Sequence, residues 1–251
     1  MQKTRSCFPL LLCAVLAIPA VPALRAQSSN ETAAAVVRPN AAVVPVPRTG
    51  AITNRQAQVL ERARENPGPC DVIFIGDSIT QGWETAGRAA WEKLCGGRQC
   101  LNFGVSGDRT QHVLWRFQNG QLDGLKPKAA VLMIGTNNSN KDDHTEAEIL
   151  AGVQAIVREL RARLPETKVV VLAIFPRGQT FSPQRGKILQ VNQALARLAD
   201  GRMVHFLDLG PRLILDDGSI SKDIMPDYLH LSGKGYQIWA EALEPLLREL
   251  L

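Results

Sequence analysis

DVIFIGDSITQGW, residues 71–83, joins a run of apolar β-formers directly to residues that favour a helix. The apolar run 72–75 is unbroken, which predicts a short strand buried on both faces. Gly76 permits a backbone turn that most residues resist. Ser78 then falls where the strand ends and a helix can begin, and there a hydroxyl is held rigidly beside unpaired backbone N–H groups. Taken alone, the stretch equally fits a simple turn with an N-capping Asp or Ser.

Apolar runs of the same kind recur along the chain, with helical patterns between them. Strands are predicted at 71–76, 99–103, 129–135, 168–174 and 203–208, and helices at 53–65, 109–119, 146–164, 184–199 and 235–250. Regular alternation of strand and helix predicts a parallel sheet with right-handed crossovers and helices on both faces. The fold class is therefore α/β, with a five-stranded parallel sheet at its centre. Ligands of such sheets bind beyond the carboxyl ends of the strands.

The first 50 residues differ in composition from the rest of the chain. Lys3 and Arg5 precede an apolar stretch, and small residues follow it, which is the pattern of a secretory signal peptide over residues 1–26. Residues 27–50 are rich in Ala, Val, Pro, Ser and Asn, and we interpret them as a flexible tether. The folded domain is predicted at 51–251. We expect a secreted or periplasmic protein, with a retained N-terminal anchor as the alternative.

Charge and cysteine usage limit the partners of the predicted domain. Of the 29 Lys and Arg and the 24 Asp and Glu, five and one lie in residues 1–50, which leaves 24 against 23 in the domain. This balance gives no argument for nucleic-acid binding. Cys95 and Cys100 can close a small disulfide loop in an oxidising compartment, whereas Cys70 would stay unpaired. A metal site at these cysteines is the weaker interpretation, because no His-Cys cluster completes it.

Polar or glycine residues follow the predicted strands at the rim where ligands are expected. Ser78 follows the first strand, Gly107 lies in the turn after the second, and Asn137 follows the third. After the fifth strand, an irregular stretch leads to Asp227 and His230, just before the last helix. Each feature is weak alone. Together they supply a nucleophile, a base and hydrogen-bond donors, the groups that acyl transfer to water requires.

A serine hydroxyl needs a neighbouring base before it can attack a carbonyl carbon. We expect His230 to be that base for Ser78, with Asp227 fixing the ring tautomer and stabilising the imidazolium. The other three histidines are expected to be structural or on the surface: His112, a weak alternative base near the rim; His205, inside a predicted strand; and His144, in a polar loop.

The oxyanion formed by attack on an ester must meet pre-aimed donors. Three candidates are the backbone N–H groups of Ser78 and Gly107 and the side-chain amide of Asn137. Each has a purely structural alternative, namely a helix start, a tight chain reversal and a turn or cap. We expect Asp77 to be a cap or loop brace rather than a base.

These positions resemble the sequence blocks of the SGNH, or GDSL, hydrolase superfamily across residues 67–251. The matching positions are, in chain order, Gly76-Asp77-Ser78, Gly107, Asn137 within GTNN, and the pair Asp227 and His230. The stretches that most resemble the catalytic subunits of type I platelet-activating factor acetylhydrolase are LNFGVSGDRTQHVLWRFQNG, IGTNN, VLAIFPRG and DYLHLS.

The resemblance implies a flavodoxin-like three-layer α/β/α fold and ester hydrolysis without a metal or cofactor, with preference for short acyl groups, acetyl above all. By the same comparison, Ile79, Thr136 and Leu229 wall a small acyl pocket. Three features depart from the resemblance. Ser106 stands where the subfamily usually has glycine, and the nucleophile block reads GDSIT rather than GDSL. The animal members are cytosolic, whereas this chain begins with a predicted export signal. The physiological substrate and partners are therefore not carried over.

The leading hypothesis is a secreted serine esterase that acts on an acetylated carbohydrate or a short-acyl lipid. Acyl transfer to a sugar by the same residues and a non-catalytic glycan-binding module are the alternatives. The resemblance also carries the expectation of a homodimer, and no stable membrane span is expected in the mature form. An α/β-hydrolase nucleophile elbow is disfavoured because Thr80 stands where its second glycine is required.

Overall fold

The computed structural model describes residues 38–141 and 143–251. One compact unit covers Pro39–Leu251. The predicted signal peptide and residues 27–37 of the predicted tether lie outside the described residues.

The sheet has five parallel strands in the order β2-β1-β3-β4-β5. The strands are β1 Gly68–Gly76, β2 Cys100–Gly104, β3 Leu125–Met133, β4 Lys168–Leu172 and β5 Val204–Leu207. This is the flavodoxin-like order, in which the chain moves from one side of β1 to the other after β2. The predicted fold class is confirmed. The reversal places the carboxyl ends of β1 and β3 side by side, where such folds bind their ligands.

Helices cover both faces of the sheet. They are α1 Thr53–Glu65, α2 Ser78–Gln81, α3 Arg88–Leu94, α4 Thr110–Gln118, α5 Glu146–Arg163, α6 Pro183–Leu195 and α7 Gly233–Leu250. Apolar side chains of α1, α4, α5 and α6 form one buried cluster with one face of the sheet. Those of α2, α3 and α7 form a second cluster with the other face. The sequence analysis expected a helix to begin at Ser78, where α2 begins, but it did not predict α3, which is too short to show a helical period.

The core is built from apolar strands packed between these helix layers. Ile73 and Ile75 of β1 face one cluster, while Val72 and Phe74 face the other, and all four are fully buried. A continuous apolar run is therefore what a strand covered on both faces requires. Within the described residues, no helix is long and apolar enough to cross a bilayer.

The last part of the predicted tether packs on the domain. Ala42 is fully buried in a 3-10 turn at Ala41–Val43, and its carbonyl oxygen accepts a hydrogen bond from Thr110 Oγ1 at 2.8 Å. The N–H of Val46 donates to the carbonyl oxygen of Gln111 at 3.3 Å. The domain thus begins earlier than the predicted residue 51. The prediction of a tether rested on the Ala, Val and Pro content of residues 27–50. A segment without helical or strand periodicity can still bury single side chains, as Ala42 does.

Cys95 and Cys100 form a disulfide that joins the end of α3 to the start of β2. Cys70 is a buried free thiol, as predicted. Burial, with a smaller contribution from the charge of the nearby Asp71, raises the pKa of this thiol to about 11. The thiol is therefore protonated and unreactive at neutral pH.

Candidate active site

The turn after β1 presents Ser78 at the first position of α2. Asp77 caps this helix, since its Oδ1 accepts a hydrogen bond from the N–H of Ile79 at 2.9 Å. Burial raises the pKa of Asp77 to about 7. Gly76 is required by space rather than by an unusual backbone angle, because a Cβ there would lie 2.4 Å from the carbonyl oxygen of Met133. The expected role of Asp77 as a helix cap is confirmed. The expectation that Gly76 is needed for a backbone turn that other residues resist is wrong, because the reason is the lack of space for a side chain.

Ser78, His230 and Asp227 form one continuous hydrogen-bonded chain. The Oγ of Ser78 lies 2.9 Å from Nε2 of His230. On the other side of the ring, Nδ1 lies 2.6 Å from Oδ2 of Asp227. Ser78 is half-buried, whereas 45% of the His230 side chain and 56% of the Asp227 side chain are exposed. A hydroxyl, an imidazole and a carboxylate in this order can move a proton from the hydroxyl to the ring.

The loop that carries Asp227 is held in a special backbone conformation. Tyr228 has φ of 60°, a left-handed angle that is uncommon for a residue with a side chain. The N–H of Gly178, after β4, donates to the carbonyl oxygen of Tyr228 at 2.8 Å. Oδ1 of Asp227 accepts from the N–H of His230 at 2.7 Å and from that of Leu229 at 3.1 Å. The carboxylate and the ring are thus locked in one geometry.

These hydrogen bonds also set the charge of Asp227. Partial burial by itself would raise the pKa of this carboxyl, but donors from the His230 ring and from two backbone N–H groups outweigh it. The net effect holds the pKa of Asp227 below its ordinary value. The carboxylate is therefore ionised when it faces the ring, as a partner for an imidazolium must be.

Gly107 occupies the tight turn after β2 that the sequence predicted. Its φ is +73°, in the left-handed region that favours glycine. A Cβ at this position would lie 2.9 Å from Nη2 of Arg48. The N–H of Ser106 donates to Oε1 of Gln81 at 2.8 Å, and that of Asp108 donates to the carbonyl oxygen of Val105 at 3.1 Å. Within the described residues, the Gly107 N–H has no acceptor.

Asn137 and its neighbour Asn138 have different surroundings. Nδ2 of Asn137 donates to the carbonyl oxygen of Asp108 at 2.9 Å, which joins the loops after β3 and β2. This half-buried amide has a second N–H that is left for a ligand. The side chain of Asn138 is fully buried and bonds to Thr110 and Gln111 of α4 instead. The two adjacent amides therefore differ in role.

The three predicted acyl-pocket residues are next to the rim residues in sequence. Ile79 and Thr136 are buried, and Leu229 is partly exposed. Arg177, after β4, donates from Nη1 to the carbonyl oxygen of Thr136 at 3.1 Å and to its Oγ1 at 3.2 Å. The sequence analysis missed Arg177, although the quoted stretch VLAIFPRG contains it directly after a predicted strand. It also missed Arg48, which lay inside the predicted tether.

Within the described residues, none of the other three histidine rings forms a hydrogen bond with a serine hydroxyl. Nδ1 of His112 accepts the N–H of Arg109 at 3.0 Å at the start of α4. Burial, followed by the charges of Arg48 and two other arginines, lowers the pKa of His112 to about 3, so the ring is neutral. His205 is half-buried in the edge strand β5. The prediction that His144 lies on the surface is wrong, because this side chain is only 4% exposed.

Comparison with known proteins agrees with this geometry. Residues 74–238 match the family model described as the GDSL-like Lipase/Acylhydrolase family. The chain belongs to this family. It is 44% identical to platelet-activating factor acetylhydrolase IB subunit alpha1 from Homo sapiens over 182 residues, which are 72% of this chain and 77% of that protein.

Two solved structures share the fold of this GDSL hydrolase. A GDSL-like lipase from Bacteroides thetaiotaomicron has a TM-score of 0.65 at 19% identity, covering 80% of this chain and 100% of the other. A carbohydrate acetylesterase from Sinorhizobium meliloti has a TM-score of 0.58 at 21% identity, covering 72% of this chain and 100% of the other. Family membership makes this protein a GDSL-type esterase.

Proposed function

We propose that this GDSL esterase hydrolyses short acyl esters, acetyl above all, through an acyl-enzyme formed on Ser78. The observation that carries the proposal is the unbroken series of hydrogen bonds from Ser78 Oγ through His230 to Asp227, at 2.9 Å and 2.6 Å. The series contains a nucleophile, its base and the group that orients the base.

In the first step, the Oγ of Ser78 attacks the ester carbonyl carbon while Nε2 of His230 takes the hydroxyl proton. The negative charge moves to the carbonyl oxygen, which three donors stabilise: the N–H groups of Ser78 and Gly107 and the Asn137 amide. The bond between carbon and the leaving oxygen then breaks. His230 gives its proton to the leaving alcohol, and the acyl group stays on Ser78.

In the second step, water replaces the alcohol. His230 takes a proton from the water as its oxygen attacks the acyl carbon, and the same donors hold the new oxyanion. The bond to Ser78 Oγ breaks, the serine regains its proton from His230, and the carboxylic acid leaves. Asp227 stays ionised throughout and stabilises the imidazolium in both steps.

Acetyl is the acyl group that we propose Ser78 carries. Ile79 and Thr136, the proposed walls of the acyl pocket, are buried, and Arg177 donates to the carbonyl oxygen and Oγ1 of Thr136, which restricts its movement. The relatives support the same conclusion, since one is named a platelet-activating factor acetylhydrolase subunit and another a carbohydrate acetylesterase. We propose an acetylated carbohydrate as the substrate. A short-acyl lipid is the second candidate, and the 44% identity to the acetylhydrolase subunit is the observation that favours the lipid.

Export of the protein is part of the proposal. Residues 1–26 have the composition of a signal peptide, and the disulfide between Cys95 and Cys100 is of the kind that persists in oxidising compartments. An exported enzyme meets extracytoplasmic glycans, which favours the carbohydrate substrate. N-terminal sequencing of protein recovered from the periplasm or the medium tests this point, and an intact Met1 in a cytoplasmic fraction would contradict it.

The decisive experiment compares Ser78→Ala, His230→Ala and the matched control His205→Ala in hydrolysis of p-nitrophenyl acetate. The first two should lower kcat by roughly 10³-fold or more, whereas the control should not. A fluorophosphonate should label the wild-type protein once, at Ser78, and should not label Ser78→Ala. Undiminished hydrolysis by Ser78→Ala would refute the mechanism, and absence of labelling in the wild type would favour the non-catalytic binding module.

Two product measurements refine the proposal. Acetylated oligosaccharides and a short-acyl phospholipid, offered separately, identify the substrate class by their relative kcat/KM. Addition of an acceptor sugar distinguishes hydrolysis from transfer, since a transferase would yield an acetylated acceptor in place of free acetate. The homodimer remains a prediction, which sedimentation of the purified protein can test.

A further inference from the structure

Residues Pro39–Arg48, which we call the N-terminal strap, run across the loop that carries Gly107. Asn40 Nδ2 donates to the carbonyl oxygen of Glu148 on α5 at 3.4 Å, which anchors the start of the strap. Its middle is held by the contacts of Ala42 and Val46 with α4 described above. At its end, the N–H of Arg48 donates to Oε1 of the largely buried Gln56 on α1 at 2.9 Å. The strap thus has a defined path that ends at the Arg48 side chain.

The Arg48 guanidinium donates to two successive carbonyl groups of the Gly107 loop. Nη1 lies 3.1 Å from the carbonyl oxygen of Gly107, and Nη2 lies 3.4 Å from that of Ser106. The planar fork of an arginine suits two neighbouring acceptors, whereas a lysine offers a single nitrogen. Arg48 is half-buried, with 24% of its side chain exposed, so water competes only partly for these contacts.

The carbonyl of Ser106 and the N–H of Gly107 belong to the same peptide unit. Because this unit is planar and trans, a donor that fixes the carbonyl also fixes the direction of the N–H on its opposite side. Hydrogen bonding at the carbonyl further polarises the N–H and makes it a stronger donor. Gln81 and Val105 hold the N–H groups on either side of it. The Gly107 N–H is therefore left as the free, aimed donor of this loop.

Arg48 also lies close to the residue that orients the second donor. Its Nε is 3.8 Å from Oδ1 of Asp108, a fully buried carboxylate that pairs with the equally buried Arg116. The carbonyl oxygen of Asp108 accepts the hydrogen bond from Asn137 Nδ2. Arg48 thus contacts residues 106 to 108. One proposed oxyanion donor, the N–H of Gly107, belongs to these residues, and the other, the Asn137 amide, is held by the carbonyl oxygen of Asp108.

We propose that Arg48 is a positioning residue for the oxyanion donors, and that the N-terminal strap is part of the catalytic unit rather than a tether. The proposal rests on the function proposed above, because it concerns stabilisation of the oxyanion formed at Ser78. Arg48 acts on the transition state through the Ser106–Gly107 peptide and touches neither the nucleophile nor the base.

The test measures kcat, KM and inhibition by phenylboronic acid, which forms a tetrahedral anionic adduct with a serine oxygen, for full-length Arg48→Ala and Arg48→Lys. Arg48→Ala should lower kcat by about 10- to 100-fold, less than the loss of an oxyanion donor itself, with KM nearly unchanged. Its inhibition constant for the boronic acid should rise by a similar factor. Arg48→Lys should recover part of kcat, because one carbonyl regains a charged donor.

Two control variants separate positioning from stability and from charge. Arg109→Ala removes an equal charge next to the Gly107 loop, but its side chain pairs with Asp143 and not with the loop carbonyls, so kcat should be unchanged. Asn40→Ala removes the hydrogen bond at the far end of the strap. It should lower Tm and change kcat little. If Arg48→Ala and Arg109→Ala lower kcat equally, the effect is one of charge and the proposal is wrong.

The outcome also distinguishes this inference from the proposed function. If Ser78→Ala is inactive while Arg48→Ala and Arg48→Lys keep the wild-type kcat and boronic acid affinity, the esterase mechanism stands and the role of Arg48 is refuted. If Ser78→Ala remains active, the mechanism itself fails. Should Arg48→Ala not fold, the lysine variant decides, since wild-type values for it would contradict the need for a forked donor.

Discussion

The Oγ of Ser78 lies 2.9 Å from Nε2 of His230, although 152 positions separate the two residues in the chain. The sheet explains this contact. Ser78 follows β1, which lies between β2 and β3 in the strand order, and His230 lies just before α7, which packs on one face of the same sheet. Because parallel strands all end at one edge, residues that follow different strands meet there.

Replacement of Asp227 by Asn should lower kcat by roughly 10²- to 10⁴-fold with little change in KM. An amide oxygen can still accept from the N–H groups of Leu229 and His230, but the amide nitrogen would donate to the ring and favour the tautomer that cannot take the serine proton. Steady-state kinetics on p-nitrophenyl acetate measure this. Asp217→Asn is the matched control, since Asp217 likewise accepts a backbone N–H, that of Ser219, and forms no hydrogen bond with the His230 ring.

The neighbouring asparagines should separate catalysis from stability. Asn137→Ala should lower kcat by about 10²- to 10³-fold, the usual cost of one oxyanion donor, while leaving Tm nearly unchanged. Asn138→Ala should instead lower Tm, because it leaves buried partners on Thr110 and Gln111 unsatisfied. Kinetics and thermal unfolding of both variants provide the test. Similar kinetic losses in both would show that Asn137 is not a donor to the oxyanion.

Enlargement of the acyl pocket at its exposed wall should relax the acyl preference. Leu229→Ala should raise kcat/KM for a butyryl ester relative to an acetyl ester by roughly 10-fold or more, since pocket volume discriminates by about 1–3 kcal/mol per methylene. Wild-type protein should prefer acetyl to octanoyl esters. The matched control is Leu215→Ala, because Leu215 is an exposed leucine of another loop. An unchanged chain-length profile in Leu229→Ala would exclude Leu229 from the pocket.

The buried ring of His112 should make the protein less stable at acidic pH. Its pKa is about 3 in the folded protein against an ordinary value of 6.5, so below pH 6.5 the unfolded chain takes up a proton that the folded protein refuses. Stability is thus lost as pH falls from 6.5 towards 3. Between pH 7.5 and 5, wild-type protein should lose about 1–2 kcal/mol more unfolding free energy than His112→Gln. Urea unfolding at both pH values measures the difference.

The His112→Gln variant is chosen because glutamine can still accept the Arg109 N–H at the start of α4. Titrating groups that do not contact His112, including the buried Asp77, are common to both proteins and cancel in the comparison. Equal pH dependence in the two proteins would contradict the depressed pKa.

Removal of the disulfide should affect stability and not catalysis. Cys95→Ser with Cys100→Ser should lower the free energy of unfolding by about 2 kcal/mol, the value expected for a loop of this length. The bond lies at the start of β2, whereas the active-site loop follows the end of that strand, so kcat should be retained. A reductant should reproduce the loss in wild-type protein, and an unchanged stability would mean that the cysteines are not paired in solution.

Much of the site was predictable because its residues follow strands that the sequence marks clearly. The apolar runs ending before Ser78 and Asn137 predicted the rim on which both residues lie. The helix 53–65 was predicted with the boundaries that the structure has. Arg48 could not be found in this way, since its role depends on two carbonyl groups more than 50 positions away. No local sequence pattern predicts such a contact.

The sequence by itself determined the alternation of strands and helices, the chemical groups at the rim and the free state of Cys70, because these depend on residue type and short-range periodicity. Only the tertiary structure decided that Arg48 contacts the Gly107 loop, that His144 is buried and where the domain begins. These depend on distances between segments remote in the chain, which packing sets and local composition does not encode.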